Sequence, residues 1–332
     1  MRVLITGGAG FIGSHLADFL LREHHQVSVL DDLSTGSADN IAHNLDHPGF
    51  IFHCNTIFNR ELLEPLIEDN DLIYHLAAAV GVKRIIESPV DTIETNVAGT
   101  ELVLRLAAER SRRIVLASTS EVYGKSAQLP FSEDGDLVLG ATAHSRWSYA
   151  CSKAIDEFLA LAWYRQSRLP VTIARMFNTV GPRQTGRYGM VLPTLVSQAM
   201  RGEPLTVYGS GEQSRCFTHV FDIVEGLAAM ARSDRTIGET YNLGSTHEIT
   251  INQLAELVLD ATGSNSPVVH IPYEEAYAPG FEDMQRRLPN IAKARAAFNF
   301  QPRRNLRTIL ADIISDMRNR IECLPSAVAP NP

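Results

Sequence analysis

The sequence predicts an α/β protein with a doubly wound parallel sheet and a smaller C-terminal α/β domain. Up to about residue 118, short apolar runs alternate with helical patterns, as they do where crossover helices connect parallel strands. A glycine-rich turn joins the first strand to the first helix, which is a common start for such a sheet. Beyond Phe177 the alternation gives way to turn-rich segments, which indicates a second region.

Composition sets broad limits on the protein class. The 332 residues, 45% of them hydrophobic and 20% charged, are typical of a globular enzyme. A net charge of −8 argues against nucleic acid or an anionic membrane as a partner. The four cysteines show no metal-ligand spacing, so no metal site is predicted, and they suit a reducing cytosol. No apolar run reaches ~18 residues and a strand begins at once, so we expect a cytoplasmic protein without a membrane span or signal peptide.

The strongest motif is a strand, a glycine turn and a helix in direct succession. Residues 3–6 read as a buried strand, and residues 11–21 carry apolar side chains at helical spacing. Between them, Gly7 permits a tight turn and Gly10 lets the backbone approach a pyrophosphate at the helix N-terminus. Gly13 lets the helix pack closely on the strand. We therefore predict a Rossmann-type dinucleotide-binding site.

An acidic residue follows at the spacing that ribose recognition requires. Asp31 ends the second predicted strand about 20 residues beyond the glycines, where a carboxylate would accept hydrogen bonds from the adenosine ribose. The same carboxylate would repel a 2′-phosphate, so NAD is favoured over NADP. Leu76, Ala77 and Ala78 end a later buried strand, and the small residues there would let the backbone lie close to the cofactor.

Tyr149 and Lys153 form a Tyr-x-x-x-Lys pair on one face of a helix predicted over residues 147–166. A phenol titrates near ~10 when unperturbed. A neighbouring ammonium and a cationic nicotinamide would stabilise the phenolate and make Tyr149 a usable base near neutral pH. Alone, such a pair is usually a coincidence. After a dinucleotide motif it indicates a catalytic site.

Polar residues also follow the strand that ends near Ser118. Ligands of open α/β sheets bind at the carboxyl ends of strands, so Thr119, Ser120 and Glu121 are expected at the substrate. A chance hydroxyl cluster in a turn is the alternative. Asn96 lies within a long predicted helix and could hold backbone or water near the tyrosine. A solvated helix asparagine is an equally good interpretation.

Arginines mark the loops of the second region, where their planar guanidinium groups would suit a diphosphate or a carboxylate. They are Arg183, Arg187, Arg215, Arg286 and Arg287. Any one of them could be a solvated surface residue, but several in loops facing one cleft indicate a binding site. The predicted division is an NAD-binding domain at 1–177 with a returning segment at about 217–245, a substrate-binding domain at 178–216 and 246–321, and a tail at 322–332.

Five motifs occur in order over about residues 1–320. They are Thr6-Gly7-Gly8-Ala9-Gly10-Phe11-Ile12-Gly13, His75-Leu76-Ala77-Ala78, Tyr149-x3-Lys153, Phe177-Asn178 and Gly211-x3-Arg215-x-Phe217-x2-Val220-x-Asp222. Together they resemble the extended short-chain dehydrogenases/reductases that act on nucleotide sugars. The resemblance implies a tightly held NAD that is regenerated in each turnover, a UDP-sugar substrate, and a homodimer formed through paired helices.

The resemblance also implies residue roles: Tyr149 as the base at the sugar 4-OH, Lys153 at the nicotinamide ribose, and Thr119 bonded to the 4-oxygen. The predicted catalytic set is Tyr149, Lys153, Thr119, Glu121, Ser120 and Arg287. The predicted cofactor-binding set is Gly7, Gly10, Phe11, Ile12, Gly13, Asp31, Leu76, Ala77, Ala78, Asn96, Ser118, Tyr149 and Lys153. The predicted substrate-binding set is Lys83, Asn178, Arg183, Arg187, Tyr188, Arg215 and Arg287.

The subfamily follows from finer similarities. Residues 117–124, 146–150, 202–209 and 282–289 are similar to UDP-glucuronate decarboxylases and UDP-apiose/xylose synthases, where an arginine matching Arg287 is implicated in decarboxylation. The 4,6-dehydratases usually carry an aspartate where Ser120 stands, which argues against water elimination. UDP-hexose 4-epimerases usually lack the glutamate found at Glu121.

We therefore favour decarboxylation of UDP-glucuronate to UDP-xylose. A 4-epimerase acting on a UDP-hexose or UDP-uronate is the alternative, because it shares every step except carbon loss. A non-catalytic nucleotide-sugar-binding protein is less favoured, since Tyr149 and Lys153 are both retained. One departure concerns the cofactor: Asn55 stands where many relatives have an adenine-binding aspartate.

Overall fold

The computed structural model describes residues 1–79, 88–144, 146–186, 190–276 and 284–322. The strands are β1 (Arg2–Thr6), β2 (Gln26–Asp31), β3 (Phe50–Cys54), β4 (Leu72–His75), β5 (Arg113–Thr119), β6 (Val171–Met176), β7 (Thr179–Val180), β8 (Leu205–Tyr208), β9 (Ser214–Cys216), β10 (Thr218–His219), β11 (Thr240–Leu243), β12 (Glu248–Thr250) and β13 (Val268–Ile271). The α-helices are α1 (Phe11–Arg22), α2 (Arg60–Asp69), α3 (Pro89–Glu109), α4 (Arg146–Ser167), α5 (Val191–Arg201), α6 (Val220–Arg232), α7 (Ile251–Thr262), α8 (Tyr273–Ala276), α9 (Ala292–Phe298) and α10 (Leu306–Glu322).

Seven strands form one parallel sheet in the order β11-β6-β5-β4-β1-β2-β3. The chain adds β2 and β3 on one side of β1, and then crosses to add β4, β5 and β6 on the other. The direction of winding therefore reverses between β1 and β4, and ligands of open α/β sheets bind at such a reversal. The doubly wound sheet predicted from the sequence is confirmed.

Helices cover both faces of this sheet, so its central strands β1, β4 and β5 are mostly apolar and buried. Val3 and Ile5 of β1 face a layer made by α1, α6 and α9. Leu4, between them, faces the opposite layer made by α2, α3 and α4. All three side chains are fully buried. Alternate residues of one strand thus anchor two helical layers and hold the strand ends in a fixed frame.

The chain returns to this sheet late. After the loops that follow β6, α6 packs on the sheet and β11 pairs in parallel with β6 at its edge. A second apolar core lies apart from the sheet, among α5, α7, α10 and β8. Small two-stranded sheets, β7–β10, β9–β12 and β8–β13, accompany it. The division into two domains at the residue numbers given above stays a prediction.

The strand predicted at residues 3–6 lies in β1, the helix predicted at 11–21 is α1, and the helix predicted over 147–166 is α4. Leu76, Ala77 and Ala78, predicted to end a strand, instead follow β4, which ends at His75. The two- and three-residue strands β7, β9, β10 and β12 had no sequence signal, because a run so short has no periodicity to read. Across the described ranges, no helix combines the length and the apolar character needed to cross a membrane.

Candidate active site

One large cavity, of about 1210 Å³, lies over the carboxyl ends of the main-sheet strands. Each of five consecutive sheet strands delivers a lining residue at its end or in the turn that follows. These residues are Gly10 after β1, Asp31 in β2, Ala77 after β4, Thr119 in β5 and Asn178 after β6. The candidate cofactor and substrate residues thus meet in a single space, as the strand-end rule predicts.

The glycine turn is shaped to hold an anion. Gly7 has φ +74°, and a Cβ added there would lie 2.7 Å from the Ala77 amide nitrogen, so a side chain is excluded. Gly10 precedes α1, which has no side-chain cap and no acid in its first turn. The first N–H groups of α1 therefore lack side-chain partners, and Phe11 and Ile12 line the cavity beside Gly10. This arrangement fits a pyrophosphate.

Asp31 is held in a fixed orientation at the same end of the cavity. It is buried, and its two oxygens accept hydrogen bonds from the amides of Ala9, at 2.9 Å, and Leu33, at 2.8 Å. Burial raises the pKa of the Asp31 carboxyl, and these backbone donors oppose the rise. Asn55 also lines the cavity, with its Oδ1 accepting from the Thr56 amide at 2.9 Å.

Tyr149 and Lys153 both lie in the first half of α4 and both line the cavity. Tyr149 is 9% exposed and Lys153 is 3% exposed. The Lys153 Nζ atom lies 2.8 Å from Oδ2 of Asp156, one helical turn further along α4. The sequence reasoning missed Asp156, although the i,i+3 spacing of opposite charges is visible in the sequence.

The end of β5 and the turn that follows it supply further lining residues. Thr119 Oγ1 accepts a hydrogen bond from the Glu121 amide at 3.2 Å, which closes the turn after the strand. Oε1 of Glu121 lies 3.4 Å from Nη1 of Arg287, a residue 166 positions later in the chain. Ser120 is buried beside them and also lines the cavity. A carboxylate, a guanidinium and two hydroxyls thus share one wall.

A buried network supports that wall from behind. Ser118 donates a hydrogen bond to Glu157, whose Oε2 lies 2.7 Å from Nη2 of Arg175. The Arg175 guanidinium lies over the Tyr123 ring at 4.8 Å from its centroid. Tyr123 in turn donates to Asn242 Oδ1 at 2.7 Å, and burial raises its pKa to about 12. Sequence reasoning missed this network because its members lie far apart in the chain.

Three further predicted site residues also line the cavity, namely Asn178, Arg183 and Arg215. Arg183 also pairs with Asp18 of α1 at 2.7 Å, and its amide donates to Asp316 of α10. The loop that carries Arg183 is therefore held between α1 and α10.

Asn96 does not line the cavity. It is fully buried, with Oδ1 accepting from the Ala79 amide at 2.8 Å and its amide nitrogen donating to Ser152 at 3.1 Å. The alternative of a solvated helix asparagine is wrong, because Asn96 ties the strand-end loop to α4. Its role at the cofactor stays a prediction. Arg286, by contrast, is exposed and pairs with Glu248 away from the cavity.

Four more residues of the predicted cofactor-binding set line the cavity. These are Gly13, Leu76, Ala78 and Ser118. Lys83, Arg187 and Tyr188 lie outside the described residues. The predicted site residues that the structure describes thus converge on one cavity, with Asn96 directly behind its wall.

Comparison with known proteins places this arrangement in a family. The profile described as GDP-mannose 4,6 dehydratase matches residues 4–313. A UDP-N-acetyl-alpha-D-glucosaminuronate decarboxylase of Bacillus cytotoxicus is 41% identical over 305 residues, which cover 91% of this chain and 92% of that protein. UDP-glucuronic acid decarboxylase 1 of Arabidopsis thaliana is 38% identical over 323 residues, which cover 97% of this chain and 71% of that protein.

The fold is shared with solved structures. UDP-glucuronic acid 4-epimerase from Bacillus cereus, solved in complex with UDP-glucuronic acid and NAD, matches with a TM-score of 0.87 at 27% identity. The match covers 96% of this chain and all of that one. The profile match and the two relatives each span most of the chain. The chain therefore belongs to the NAD-dependent epimerase/dehydratase family of extended short-chain dehydrogenases/reductases, the family that its motifs resemble.

Proposed function

We propose that this protein is an NAD-dependent UDP-uronate decarboxylase, which converts UDP-glucuronate into UDP-xylose and CO₂. The observation that carries the proposal is the contact between Glu121 and Arg287 in the cavity that Tyr149 and Lys153 also line. A 4-epimerization returns the hydride directly to C4, whereas decarboxylation also requires a proton to be delivered to C5 after CO₂ has left, and charged groups beside the ring would assist that step. The names of the relatives at 38% and 41% identity support the same reaction.

The residues present fit NAD. The uncapped N-terminus of α1 beside Gly10 suits the pyrophosphate, and the oriented Asp31 carboxylate suits the adenosine ribose hydroxyls. Lys153 is assigned to the nicotinamide ribose. When bound, NAD supplies a hydride acceptor for C4 of the sugar and returns the hydride in the final step.

Tyr149 acts as the base that removes the proton from the sugar 4-OH, while Thr119 holds the 4-oxygen. Oxidation at C4 places a ketone β to the carboxylate at C5, and such a β-keto acid loses CO₂ readily because the ketone takes up the electron pair. Glu121 and Ser120 position the ring. Arg287 assists reprotonation of C5 by orienting the proton donor. The balance is one uronate and one proton in, and one pentose and one CO₂ out.

The substrate's C2 substituent is a separate question. The relative at 41% identity is named for an N-acetylglucosaminuronate, whereas the plant relative at 38% is named for glucuronate. Both are UDP-linked uronates, so the same 4-keto chemistry applies to each. Asn178, Arg183 and Arg215 are assigned to the nucleotide diphosphate or the sugar of either substrate, and so are Lys83, Arg187 and Tyr188.

We also assign a homodimer formed through α3 and α4, which pack side by side. Four large apolar side chains on the described parts of these helices are exposed, namely Val90 and Ile93 of α3 and Ile155 and Phe158 of α4. We call them the α3–α4 face. Exposed large apolar side chains on two packed helices favour a protein interface there. A second copy of this chain is the proposed occupant.

The decisive experiment is an assay of the purified protein with catalytic NAD and either UDP-glucuronate or UDP-N-acetylglucosaminuronate. Released CO₂ and the proton NMR spectrum of the sugar nucleotide are recorded together. We expect CO₂ and a UDP-linked pentose, and no activity from Tyr149→Phe. Formation of UDP-galacturonate without CO₂ would show a 4-epimerase instead.

A further inference from the structure

We propose that Asp156 is a positioning residue, whose carboxylate keeps the buried Lys153 ammonium charged and oriented at the nicotinamide end of the cavity. The inference deepens the proposed function and rests on it for the assignment of Lys153 to the nicotinamide ribose. It concerns a residue that none of the motifs includes.

The geometry of the pair is closed to solvent. Asp156 follows Lys153 by three residues, so both side chains lie on one face of α4. Their charged atoms are 2.8 Å apart, and the two side chains are 0% and 3% exposed. Water and salt therefore screen this pair far less than a surface ion pair.

Among the described residues around Asp156, Lys153 is the cation that pairs with its carboxylate. The Thr100 hydroxyl of α3 approaches the Asp156 carboxyl and also lies 3.2 Å from Nε2 of His75 in β4. Burial lowers the pKa of His75 to about 3, so the ring is neutral and adds no positive charge. Glu157, the neighbouring acid on α4, is held instead by Arg175 of β6.

Among the described residues, the Asp156 carboxyl has two polar neighbours, the Lys153 ammonium and the Thr100 hydroxyl. Its second oxygen, Oδ1, is buried and has no hydrogen-bond partner among the described residues. Burial raises the pKa of the Asp156 carboxyl, and the Lys153 ammonium opposes the rise. An apolar residue would fill this space at lower cost, since buried ion pairs often stabilise less than well-packed apolar groups. The carboxylate is therefore explained by what it does to Lys153.

A buried ammonium without a counter-charge loses its proton at a lower pH than a paired one. A neutral amine would no longer assist ionisation of Tyr149 electrostatically, and it would bind the ribose hydroxyls less tightly. Removing the Asp156 charge should therefore cut activity first on the alkaline side of the pH profile.

The test is Asp156→Asn, which keeps the shape and removes the charge. The pH dependence of kcat is measured in the holoenzyme, and the NAD dissociation constant is measured against pH without sugar. We expect the alkaline limb of kcat to move down by about one pH unit or more. NAD binding should weaken over the same pH range. Alkaline limbs at the wild-type position in both measurements would overturn the proposal.

A matched control is Asp222→Asn, the same substitution in another buried aspartate, which pairs with Arg304 away from the cavity. It should lower stability without moving either alkaline limb. If Asp222→Asn moved the limbs as far as Asp156→Asn does, the effect would be structural and the proposal would fail.

A double-mutant cycle covers the case in which Asp156→Asn folds poorly. Lys153→Met, Asp156→Asn and the double variant are compared in urea unfolding. The double variant should be more stable than Asp156→Asn alone, because no unpaired charge remains buried. Additive losses would contradict the pairing. A wild-type protein that binds NAD but decarboxylates no uronate would refute the proposed function alone, since the NAD measurements still decide the role of Asp156.

Discussion

Arg286 and Arg287 are neighbours in the chain but lie in different surroundings. Arg287 is 7% exposed, lines the cavity and contacts Glu121. Arg286 is exposed and pairs with Glu248 outside the cavity. Two side chains of the same chemistry thus provide a test and its control within one dipeptide.

Replacing Arg287 by glutamine should lower the rate of CO₂ release by about 10²-fold, the usual loss when one preorganised electrostatic group is removed. In the proposed mechanism the first oxidation depends on Tyr149 and Lys153 and not on Arg287, so reduced nicotinamide should accumulate. CO₂ release and nicotinamide absorbance are followed in the same sample. Arg286→Gln should behave as the wild type. Equal losses in the two variants would remove Arg287 from the proposed chemistry.

His15 makes the fold sensitive to acid. Its ring is buried in α1, and its Nε2 lies 3.0 Å from the Pro182 carbonyl oxygen. Burial lowers the pKa of His15 from 6.5 to about 4. Unfolding releases the ring, which then binds a proton more readily. The stabilising contribution is therefore complete above pH 6.5 and is lost as the pH falls towards about 4.

Over that window the wild-type protein should lose about 3 kcal/mol from this group. His15→Gln can keep a hydrogen bond to Pro182 but has no titrating ring, so its stability should fall less steeply with acid. Urea unfolding at several pH values between 4 and 7 measures both slopes. Parallel slopes would mean that His15 is not the responsible group.

At the scale of elements, Gly10 and Gly13 at the start of α1 have different roles, one in ligand binding and the other in packing. A Cβ added at Gly10 would meet only the Gly7 carbonyl oxygen, at 3.1 Å, in a backbone conformation open to any residue. A Cβ added at Gly13 would collide with backbone atoms of Gly7 and Gly8. The two glycines therefore serve the cavity and the helix–strand contact, respectively.

Gly10→Ala should bind NAD about tenfold more weakly or worse, a loss of about 1.4 kcal/mol, while its melting temperature stays near that of the wild type. Gly13→Ala should instead lower the melting temperature, because α1 must move away from the strand. Fluorescence titration with NAD and thermal melts compare the pair. A large drop in the melting temperature of Gly10→Ala would show that this glycine is structural.

Local features of the site could be predicted from the sequence. The glycine spacing, the end of β2 at Asp31 and the Tyr149–Lys153 spacing each lie within one turn or one helix, so a short window contains the whole signal. The family resemblance places Glu121 and Arg287 in one predicted catalytic set, but only the fold shows that the two side chains are in contact. Pairing across 166 positions leaves no periodic trace.

The same reasoning explains what was missed. The Ser118–Glu157–Arg175 network joins β5, α4 and β6. Ser118 is predicted only as a cofactor residue, and Glu157 and Arg175 have no sequence signal that links them to it. Only the stacking of α4 on the sheet brings them into the interior. Asn96 was left open for the same reason, since helical spacing does not say whether a polar side chain meets water or a neighbouring loop.

At the scale of the whole molecule, the α3–α4 face should decide the state of association. Phe158 is 68% exposed on this face, and Ile51, at 57% exposed on β3, offers a matched apolar residue elsewhere. Exposed apolar side chains scattered singly need no partner, so the comparison isolates the face itself.

We expect the wild-type protein to be a dimer by light scattering after size-exclusion chromatography, and Phe158→Asp to be a folded monomer. The charge would be buried without a partner in the dimer but would face water in the monomer. Ile51→Asp should remain a dimer. A dimeric Phe158→Asp would place the interface on another surface.

The late return of the chain to the main sheet bears on how the protein is made. During synthesis, a nascent chain that has reached residue 177 lacks α6 and β11, which are still untranslated. One edge of β6 then stays open, and Val3 and Ile5 lack part of the helical layer that buries them. A truncated protein ending there would present an unpaired strand edge, which promotes aggregation. We therefore expect such fragments to be degraded in cells and not to accumulate as a working dinucleotide-binding domain.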